Sequence, residues 1–190
     1  MYAVEMQDLT KQYGSKTVVD GLNLKIEEGE FFAMLGSNGA GKTTTIKMLS
    51  CLVEPTAGDA LMLGYSIRKE GDAVKEMINV SPQETAVAPK LTVKENLEMI
   101  ARLYGFSKED AARKTEHLME TFDLTDRQHD QAKSLSGGWK RKLSIAMALI
   151  IQPKILFLDE PTLGLDVRAR RELWKNIEQL KGKVTVILTT

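Results

Sequence analysis

The 190-residue sequence predicts an α/β fold, in which an antiparallel β subdomain and an inserted α-helical subdomain accompany a core built on a parallel sheet. Strand-like and helix-like segments alternate towards both ends of the chain, which is typical of parallel strands joined by crossover helices. The middle of the chain instead contains successive helix-like segments. We therefore expect one domain, with a core lobe of about residues 1–83 and 152–190 and a helical lobe of about residues 84–151.

The first part of the chain consists mainly of strand-like segments. Short runs of apolar and β-branched residues are separated by turn residues, such as those around Gly14 and Gly29. One helix-like run, residues 43–49, interrupts the strands. The strands expected in this part are residues 3–9, 17–19, 22–26, 30–35, 59–63 and 77–81.

Capping patterns mark the helices that follow. Thr92 and Glu95 have the spacing of a capping box, in which each side chain satisfies the main-chain N–H of the other residue. A helix is therefore expected from this point to about Tyr104, and Gly105 ends it. Further helices are expected at residues 107–122, 136–151 and 167–180, and the last two strands at residues 154–158 and 184–188.

The segment from Gly36 to Thr43 has the pattern G-x-x-x-x-G-K-[ST], the phosphate-binding P-loop, and predicts a P-loop NTPase core. Its glycines let the main chain approach a phosphate closely, and the N-terminus of the following helix faces the anion. Lys42 is expected to reach the β- and γ-phosphates, and the Thr43 hydroxyl to bind Mg²⁺. The ATP-binding residues expected here are Gly36, Ser37, Asn38, Gly39, Ala40, Gly41, Lys42, Thr43 and Thr44.

Two carboxylates, Asp159 and Glu160, follow a strand-like apolar run, which is the Walker B pattern. The C-terminal end of a strand in an open α/β sheet is where ligands bind. Asp159 suits Mg²⁺, and Glu160 is placed to polarise the water that attacks the γ-phosphate. A solvated Asp-Glu turn would fit the same residues if the P-loop were absent.

A third motif, Leu135-Ser136-Gly137-Gly138, stands before another predicted helix, which would present its positive end to an anion. Taken alone, it fits a capped helix whose basic residues are solvated. The three motifs in this order resemble the nucleotide-binding domain of ATP-binding cassette (ABC) transporters, and the resemblance extends over essentially the whole chain. It implies that Ser136, Gly137 and Gly138 contact the ATP of a partner subunit in a homodimer or heterodimer of cassettes.

The resemblance also assigns roles to three single residues. Tyr13 lies where the family has an aromatic residue that stacks on adenine. Gln83 lies at the Q-loop, where it would contact Mg²⁺ or the attacking water, so the expected catalytic residues are Lys42, Gln83 and Glu160. Asp166 lies in the D-loop, which contacts the opposite subunit, although it would also serve as a helix N-cap. The expected metal ligands are Thr43, Gln83 and Asp159.

The sequence departs from the family pattern at several positions. Ser37 replaces a common proline, Trp139 stands where glutamine is usual, and Leu163 replaces the serine of the D-loop. The family's switch histidine would follow Thr190, so the chain resembles a member truncated before that residue, with weak or no ATPase activity expected of it in this form. The two histidines of the chain lie in the predicted helical lobe and are not expected to replace it: they are His117 and His129.

Composition limits the choice of function. The chain has 26 basic and 26 acidic residues, and this balance argues against a nucleic-acid partner. A single cysteine allows no intrachain disulfide and favours a reducing compartment. No stretch approaches the roughly 18 apolar residues of a transmembrane helix.

Within the family, the chain resembles the drug-, sodium- and polysaccharide-export type. This resemblance implies a cytoplasmic ATPase subunit that lies on the inner face of the membrane, where a separate permease binds it. Its transport direction would be export. Two alternatives stay open: a soluble ABC ATPase without a transport function, and a nucleotide-binding switch that does not hydrolyse ATP. The transported substrate belongs to the partner and cannot be read from this sequence.

Overall fold

The computed structural model describes all 190 residues, which form eight strands and six α-helices. No helix combines the length and the apolar content needed to cross a bilayer. The strands are β1 (Tyr2–Tyr13), β2 (Lys16–Glu27), β3 (Phe31–Met34), β4 (Ala57–Met62), β5 (Tyr65–Ser66), β6 (Ile78–Ser81), β7 (Ile155–Leu158) and β8 (Thr185–Thr189). The helices are α1 (Lys42–Leu49), α2 (Gly71–Met77), α3 (Val93–Leu103), α4 (Lys108–Thr121), α5 (Gly137–Leu149) and α6 (Val167–Glu178).

The chain divides into two compact units. Unit 1 comprises residues 1–80, 154–160 and 181–190, and unit 2 comprises residues 81–153 and 161–180. The sequence had placed residues 161–180 in the core lobe, whereas the structure groups them with the helices. The reason is that α6 packs against α5, and Asn176 of α6 donates a hydrogen bond to the main-chain oxygen of Thr121 over 2.9 Å.

Unit 1 contains two four-stranded sheets. One sheet, in the order β2-β1-β4-β5, is antiparallel. The other has the order β3-β8-β7-β6, and β8 pairs in parallel with both β3 and β7. All four residues of β7 are buried, as expected for a parallel strand covered on both faces. The predicted α/β fold, with its antiparallel subdomain, is therefore confirmed.

The core of unit 1 joins both sheets to α1. Ile46, Met48 and Leu49 of α1 belong to the same buried cluster as Phe157 of β7 and Ile187 of β8. Because the loops that follow parallel strands emerge at one edge of a sheet, this packing brings the loop after β3 and the carboxylates after β7 to the same place.

Most of the predicted elements are present, and the differences have local causes. The predicted capping box is formed: the Glu95 N–H donates to the Thr92 hydroxyl over 3.1 Å, and the Thr92 N–H donates to the Glu95 carboxylate over 2.8 Å. Two predicted strands join into the single strand β2. The sequence missed α2, because this seven-residue helix begins at Gly71 and buries only Val74, which leaves no apolar periodicity to detect.

Candidate functional site

The loop of residues 36–41 ends at Gly41, which precedes the first residue of α1. Gly41 has a φ of 87°, and a Cβ atom there would lie 2.6 Å from the main-chain oxygen of Val18, so only glycine fits. Its own oxygen accepts hydrogen bonds from the N–H of Thr45 (2.8 Å) and from the Thr45 hydroxyl (3.1 Å). These contacts fix the start of α1, so that Lys42 and Thr43 occupy its first two positions.

The Lys42 ammonium is held by the loop that precedes it. Its Nζ donates to the main-chain oxygen of Gly36 over 2.6 Å and to that of Ser37 over 3.3 Å. The same Nζ lies 3.6 Å from Oε1 of Glu160, and only 10% of the lysine side chain is exposed. The structure therefore places the positive charge beside the P-loop carbonyls and within reach of the second Walker B carboxylate.

The Walker B residues are connected to α1 and to β8 through hydroxyl groups. Asp159 is buried, and its Oδ1 accepts hydrogen bonds from the hydroxyls of Thr43 (3.1 Å) and Thr189 (2.6 Å). The Thr189 hydroxyl in turn accepts the N–H of Glu160 over 2.9 Å. Sequence reasoning missed Thr189, although a polar residue at the end of an apolar strand is the signal that also revealed Asp159.

Glu160 adopts a backbone conformation that is uncommon for a residue with a side chain. Its φ is 47°, in the left-handed region, and 19% of its side chain is exposed. Such conformations concentrate at functional sites, where the surrounding structure holds them. Here the hydrogen bond from the Glu160 N–H to Thr189 holds the backbone, and the carboxylate faces Lys42.

The residues of this site fit a magnesium-bound triphosphate. The Thr43 hydroxyl and the Asp159 carboxylate are hard oxygen ligands, the type that Mg²⁺ prefers, and the hydrogen bond between them shows that they converge. Residues 36–40 of the loop are exposed, and the loop leads into a helix N-terminus, so phosphate oxygens can reach both. Tyr13, also in unit 1, ends β1 with 49% of its surface exposed, and the Lys11 ammonium lies 5.0 Å from its ring centroid.

The third motif lies in unit 2, at the start of α5. Ser136 is the N-cap residue, but its hydroxyl makes no capping hydrogen bond, and both Ser136 and Gly137 are exposed. A Cβ atom at Gly138 would lie 3.0 Å from the Cβ of Ala169, so glycine allows α5 to approach α6 closely. The start of α5 is therefore exposed, and its binding of an anion stays a prediction.

The basic residues after this motif are not all on a solvated face. Lys142 is buried, and its Nζ donates to the Asp123 carboxylate over 3.2 Å and lies 4.7 Å from the Trp139 ring centroid. The Arg127 guanidinium lies 5.0 Å from the same ring. A second donor to Asp123 is Asn176 of α6, over 3.0 Å. We call these five residues the Asp123 cluster.

The hydrogen bond from Asn176 and, to a lesser extent, the contact with Lys142 lower the pKa of Asp123 below its ordinary value. The aspartate is therefore ionised near neutral pH. The Asp123 cluster thus explains how the structure accommodates Trp139 in place of the usual glutamine.

Among the remaining predicted residues, Gln83 lies in a groove of unit 2. Gln83 is exposed, and it lines a groove of about 420 Å³ together with Gly137 and Gly164, so the Q-loop, the third motif and the D-loop meet there. Asp166 caps α6, because its carboxylate accepts the N–H of Ala169 over 2.9 Å. The side chain of Leu163 is exposed, as are the two histidines, His117 and His129.

Comparisons with known proteins agree on the family. The ABC transporter family model matches residues 19–163. The chain is 39% identical, over 98% of its length, to the linearmycin resistance ATP-binding protein LnrL of Bacillus subtilis (strain 168), and it covers 60% of that protein. It is 41% identical, over its whole length, to the daunorubicin resistance ATP-binding protein DrrA2 of Streptomyces coeruleorubidus, and it covers 59% of that protein.

A third relative is the Nod factor export ATP-binding protein I of Paraburkholderia xenovorans (strain LB400). It is 40% identical over 99% of this chain, and the chain covers 62% of that protein. The chain therefore spans about three fifths of the length of the curated relatives it matches.

Solved structures show the same fold. An ATP-binding subunit of an ABC transporter superimposes with a TM-score of 0.83 at 31% identity, over 99% of this chain and 79% of that one. The protein cbiO1 of Clostridium perfringens, described as part of the ABC transporter complex cbiONQ, gives a TM-score of 0.91 at 26% identity, over 100% of this chain and 78% of that one.

Proposed function

The chain belongs to the ABC transporter family, and from this premise we propose that it is the ATP-binding and ATP-hydrolysing part of a subunit that energises transport through a separate membrane permease. The observation that carries the proposal is the cluster in unit 1. There Lys42, Thr43, Asp159 and Glu160 converge, and Thr189 holds the two acidic residues in place. This set of groups is suited to phosphoryl transfer to water and has no evident structural purpose as a group.

Each residue of this cluster has a defined role in the proposal. The Lys42 ammonium would exchange the carbonyls of Gly36 and Ser37 for phosphate oxygens, because its hydrogen bonds go to main-chain oxygens and its ion pair with Glu160 is longer, at 3.6 Å. Thr43 and Asp159 would hold Mg²⁺, and this ion, when bound, neutralises charge on the phosphates. The exposed loop residues, Gly36 to Ala40 with Gly41 and Thr44, would surround the phosphates, and Tyr13 would stack on the adenine.

Glu160 would orient the attacking water and accept its proton. Its carboxylate is fixed by a left-handed backbone and lies beside Lys42, so it can reach a water near the γ-phosphate without reorganising. For Gln83 we propose the role that the family resemblance implies, a contact with Mg²⁺ or with this water. Asp159 is held by two hydroxyl donors, which suits an orienting ligand more than a proton acceptor.

Unit 2 would complete the site of a second subunit. We propose that Ser136, Gly137 and Gly138 bind the nucleotide held by a partner, since their helix start is exposed and the Ser136 hydroxyl caps no N–H of its own helix. Asp166 and the D-loop would lie at the same contact between two cassettes. Phosphate contacts from both subunits would hold the pair together until hydrolysis removes the γ-phosphate.

The names of the relatives support a proposal for the transport direction, and the family resemblance supports one for the cellular location. We propose export, because the similar curated proteins are named as linearmycin resistance, daunorubicin resistance and Nod factor export ATP-binding proteins. The subunit would lie on the cytoplasmic face of the cell membrane, held there by its permease. Co-purification of the full-length protein with a multi-helix membrane protein is the expected result, whereas recovery with ribosomes would favour the non-transport alternative.

Replacement of Glu160 by glutamine tests the catalytic part of the proposal. In the full-length protein we expect ATP turnover to fall by roughly 10²–10⁴-fold, the contribution of a positioned general base. The dissociation constant of ATP should change little, because Lys42 and the loop remain. Turnover is measured as phosphate release in the presence of Mg²⁺.

The matched control for this experiment is Glu28→Gln, which removes an exposed carboxylate of the same unit. The control should hydrolyse ATP at the parent rate. If Glu160→Gln also does so, Glu160 is not the base, and a parent protein without turnover would favour the nucleotide switch.

A further inference from the structure

The buried guanidinium of Arg141 binds three main-chain carbonyls from two separate segments. Arg141 lies on α5 with 3% of its surface exposed. Its Nε donates to the oxygen of Pro161 over 3.1 Å. One terminal nitrogen, Nη1, donates to the oxygen of Pro82 and, over 3.4 Å, to that of Gln83. A single side chain thus connects the segment after β6 with the segment after β7.

These two segments are where the chain passes from unit 1 into unit 2. Unit 1 ends at Val80 in the first segment and at Glu160 in the second, so Pro82 and Pro161 are among the first residues beyond each crossing. Pro161 is bonded covalently to Glu160, and Pro82 to Gln83. Arg141 therefore fixes the main chain next to two of the three proposed catalytic residues, Gln83 and Glu160.

The chemistry of the contact requires arginine. A proline has no N–H, so its carbonyl is its only main-chain hydrogen-bonding group, and each carbonyl here finds its partner in the same guanidinium. The planar guanidinium presents five N–H donors in fixed directions and can bond two segments at once. A lysine ammonium is a single point on a flexible stem and cannot reproduce this geometry.

The burial of the Arg141 charge also indicates that this side chain does more than fill space in the core. The neighbouring positions Leu143 and Ile145 of α5 are fully buried apolar residues, so the surroundings would accept an apolar side chain. A buried charge is costly unless it is hydrogen-bonded, and apolar replacements of buried charges are often neutral or stabilising. The three carbonyl contacts are what an apolar residue could not supply.

We propose that Arg141 is a positioning residue for ATP hydrolysis, which sets the main-chain path of Gln83 and of the residue after Glu160. The inference rests on the proposed function, since it assigns Arg141 to the same reaction. Arg141 touches no reacting atom in this account and acts through the two segments it binds. Displacement of a catalytic group by about 1 Å can cost roughly 10²-fold in rate, so loss of these contacts should be visible in turnover.

The experiment compares Arg141→Met and Arg141→Lys in the full-length protein. We expect Arg141→Met to lower kcat by roughly 10- to 100-fold, while the ATP dissociation constant stays within about twofold of the parent value. Arg141→Lys should restore part of kcat, because it keeps a donor but loses the planar geometry. Hydrogen exchange of the amides at residues 83–85 and 162–166 should accelerate in both variants. Arg113→Met, which removes an exposed arginine paired with Asp110, is the control and should match the parent.

The outcomes separate this inference from the proposed function. A parent protein that neither binds nor hydrolyses ATP overturns the proposed function itself. If the parent turns over ATP and folded Arg141→Lys has the parent kcat and the parent exchange rates, the positioning role is wrong. If Arg141→Met does not fold, the kcat and the exchange rates of Arg141→Lys alone test the positioning role. A kcat per folded molecule that is unchanged in every variant would leave Arg141 a structural residue and would contradict the inference.

Discussion

Lys42 and Lys142 each lie near the start of a helix that the sequence predicts to bind an anion, but their contacts differ. Lys42 donates to main-chain oxygens of its own loop and lies 3.6 Å from a carboxylate of Glu160, without a hydrogen bond between the two side chains. Lys142 is hydrogen-bonded to Asp123, lies over the Trp139 ring, and has only 5% of its side chain exposed. The same residue type is thus placed at the proposed phosphate site in one unit and contributes to the packing of helices in the other.

The difference shows that charge alone does not identify a phosphate site. The hydrogen bonds of Lys42 go to neutral carbonyls, and the lysine would gain from exchanging them for those of an anion, whereas Lys142 would lose a charge-assisted hydrogen bond to Asp123 in the same exchange. The main-chain contacts of Lys42 therefore support the role that we propose for it in binding phosphate. The three predictions that follow probe this comparison, from the largest expected change in stability to the smallest.

Replacement of Lys142 by alanine should lower the free energy of unfolding by about 2–3 kcal/mol. The variant loses a charge-assisted hydrogen bond, a cation–aromatic contact and the packing of a buried stem. The Asp123 carboxylate that remains in the variant is largely exposed, so the cost of leaving it unpaired is lower than for a fully buried ion pair. The measurement is urea unfolding of the parent and the variant.

Lys140→Ala, on the same helix but less buried, is the control for this variant and should change stability by less than about 0.5 kcal/mol. Equal stability of Lys142→Ala and the parent would contradict a structural role for Lys142 and would weaken the contrast with Lys42.

Replacement of Thr189 by valine keeps the side-chain shape and removes the hydroxyl that joins Asp159 to the Glu160 N–H. We expect a loss of about 1–2 kcal/mol in stability and a marked loss of ATP turnover, because the Glu160 backbone loses its partner. Thr185→Val, on the same strand, removes only an acceptor for the Gly29 N–H and serves as the control. If both variants keep the parent turnover, Thr189 does not position the Walker B residues.

The pH dependence of the free energy of unfolding should show the contribution of the Asp123 carboxylate. Its folded-state pKa is below the ordinary value of 3.8, so its contribution is fully present above that value and is lost as the pH falls through the folded-state pKa. At pH 7 the parent should be more stable than Asp123→Asn by less than about 1 kcal/mol, because the carboxylate is mostly exposed. Urea midpoints at pH 7, 4 and 3 should show this difference shrinking, and a constant difference would contradict the assignment.

Much of the unit 1 site could be predicted from the sequence. The P-loop pattern and the acidic end of β7 are local, and the rule that parallel strands present their ends at one edge brings them together. The sequence could not reveal Thr189 as the link between them, because that depends on β8 pairing with β7 in parallel. Nor could it show the left-handed backbone of Glu160, which no residue pattern near it requires.

Unit 2 was harder to predict, because its polar contacts join distant parts of the chain. The helix starts at Thr92 and Ser136 follow from local capping patterns. The burial of Arg141 and Lys142 does not, since three successive basic residues also fit a solvated helix face. The grouping of residues 161–180 with unit 2 could not be read from the sequence for the same reason: the contact between Asn176 and Thr121 spans 55 positions.

Equilibrium binding of ATP to the full-length protein and to its Lys42→Ala variant tests whether residues 36–43 form the nucleotide site. We expect that the parent binds ATP, that Lys42→Ala does not bind it measurably, and that Lys47→Ala, which changes an exposed lysine of the same helix, binds like the parent. Loss of the ammonium removes the charge that faces the phosphates while α1 remains. An unchanged affinity in Lys42→Ala would contradict the assignment of this loop as the nucleotide site.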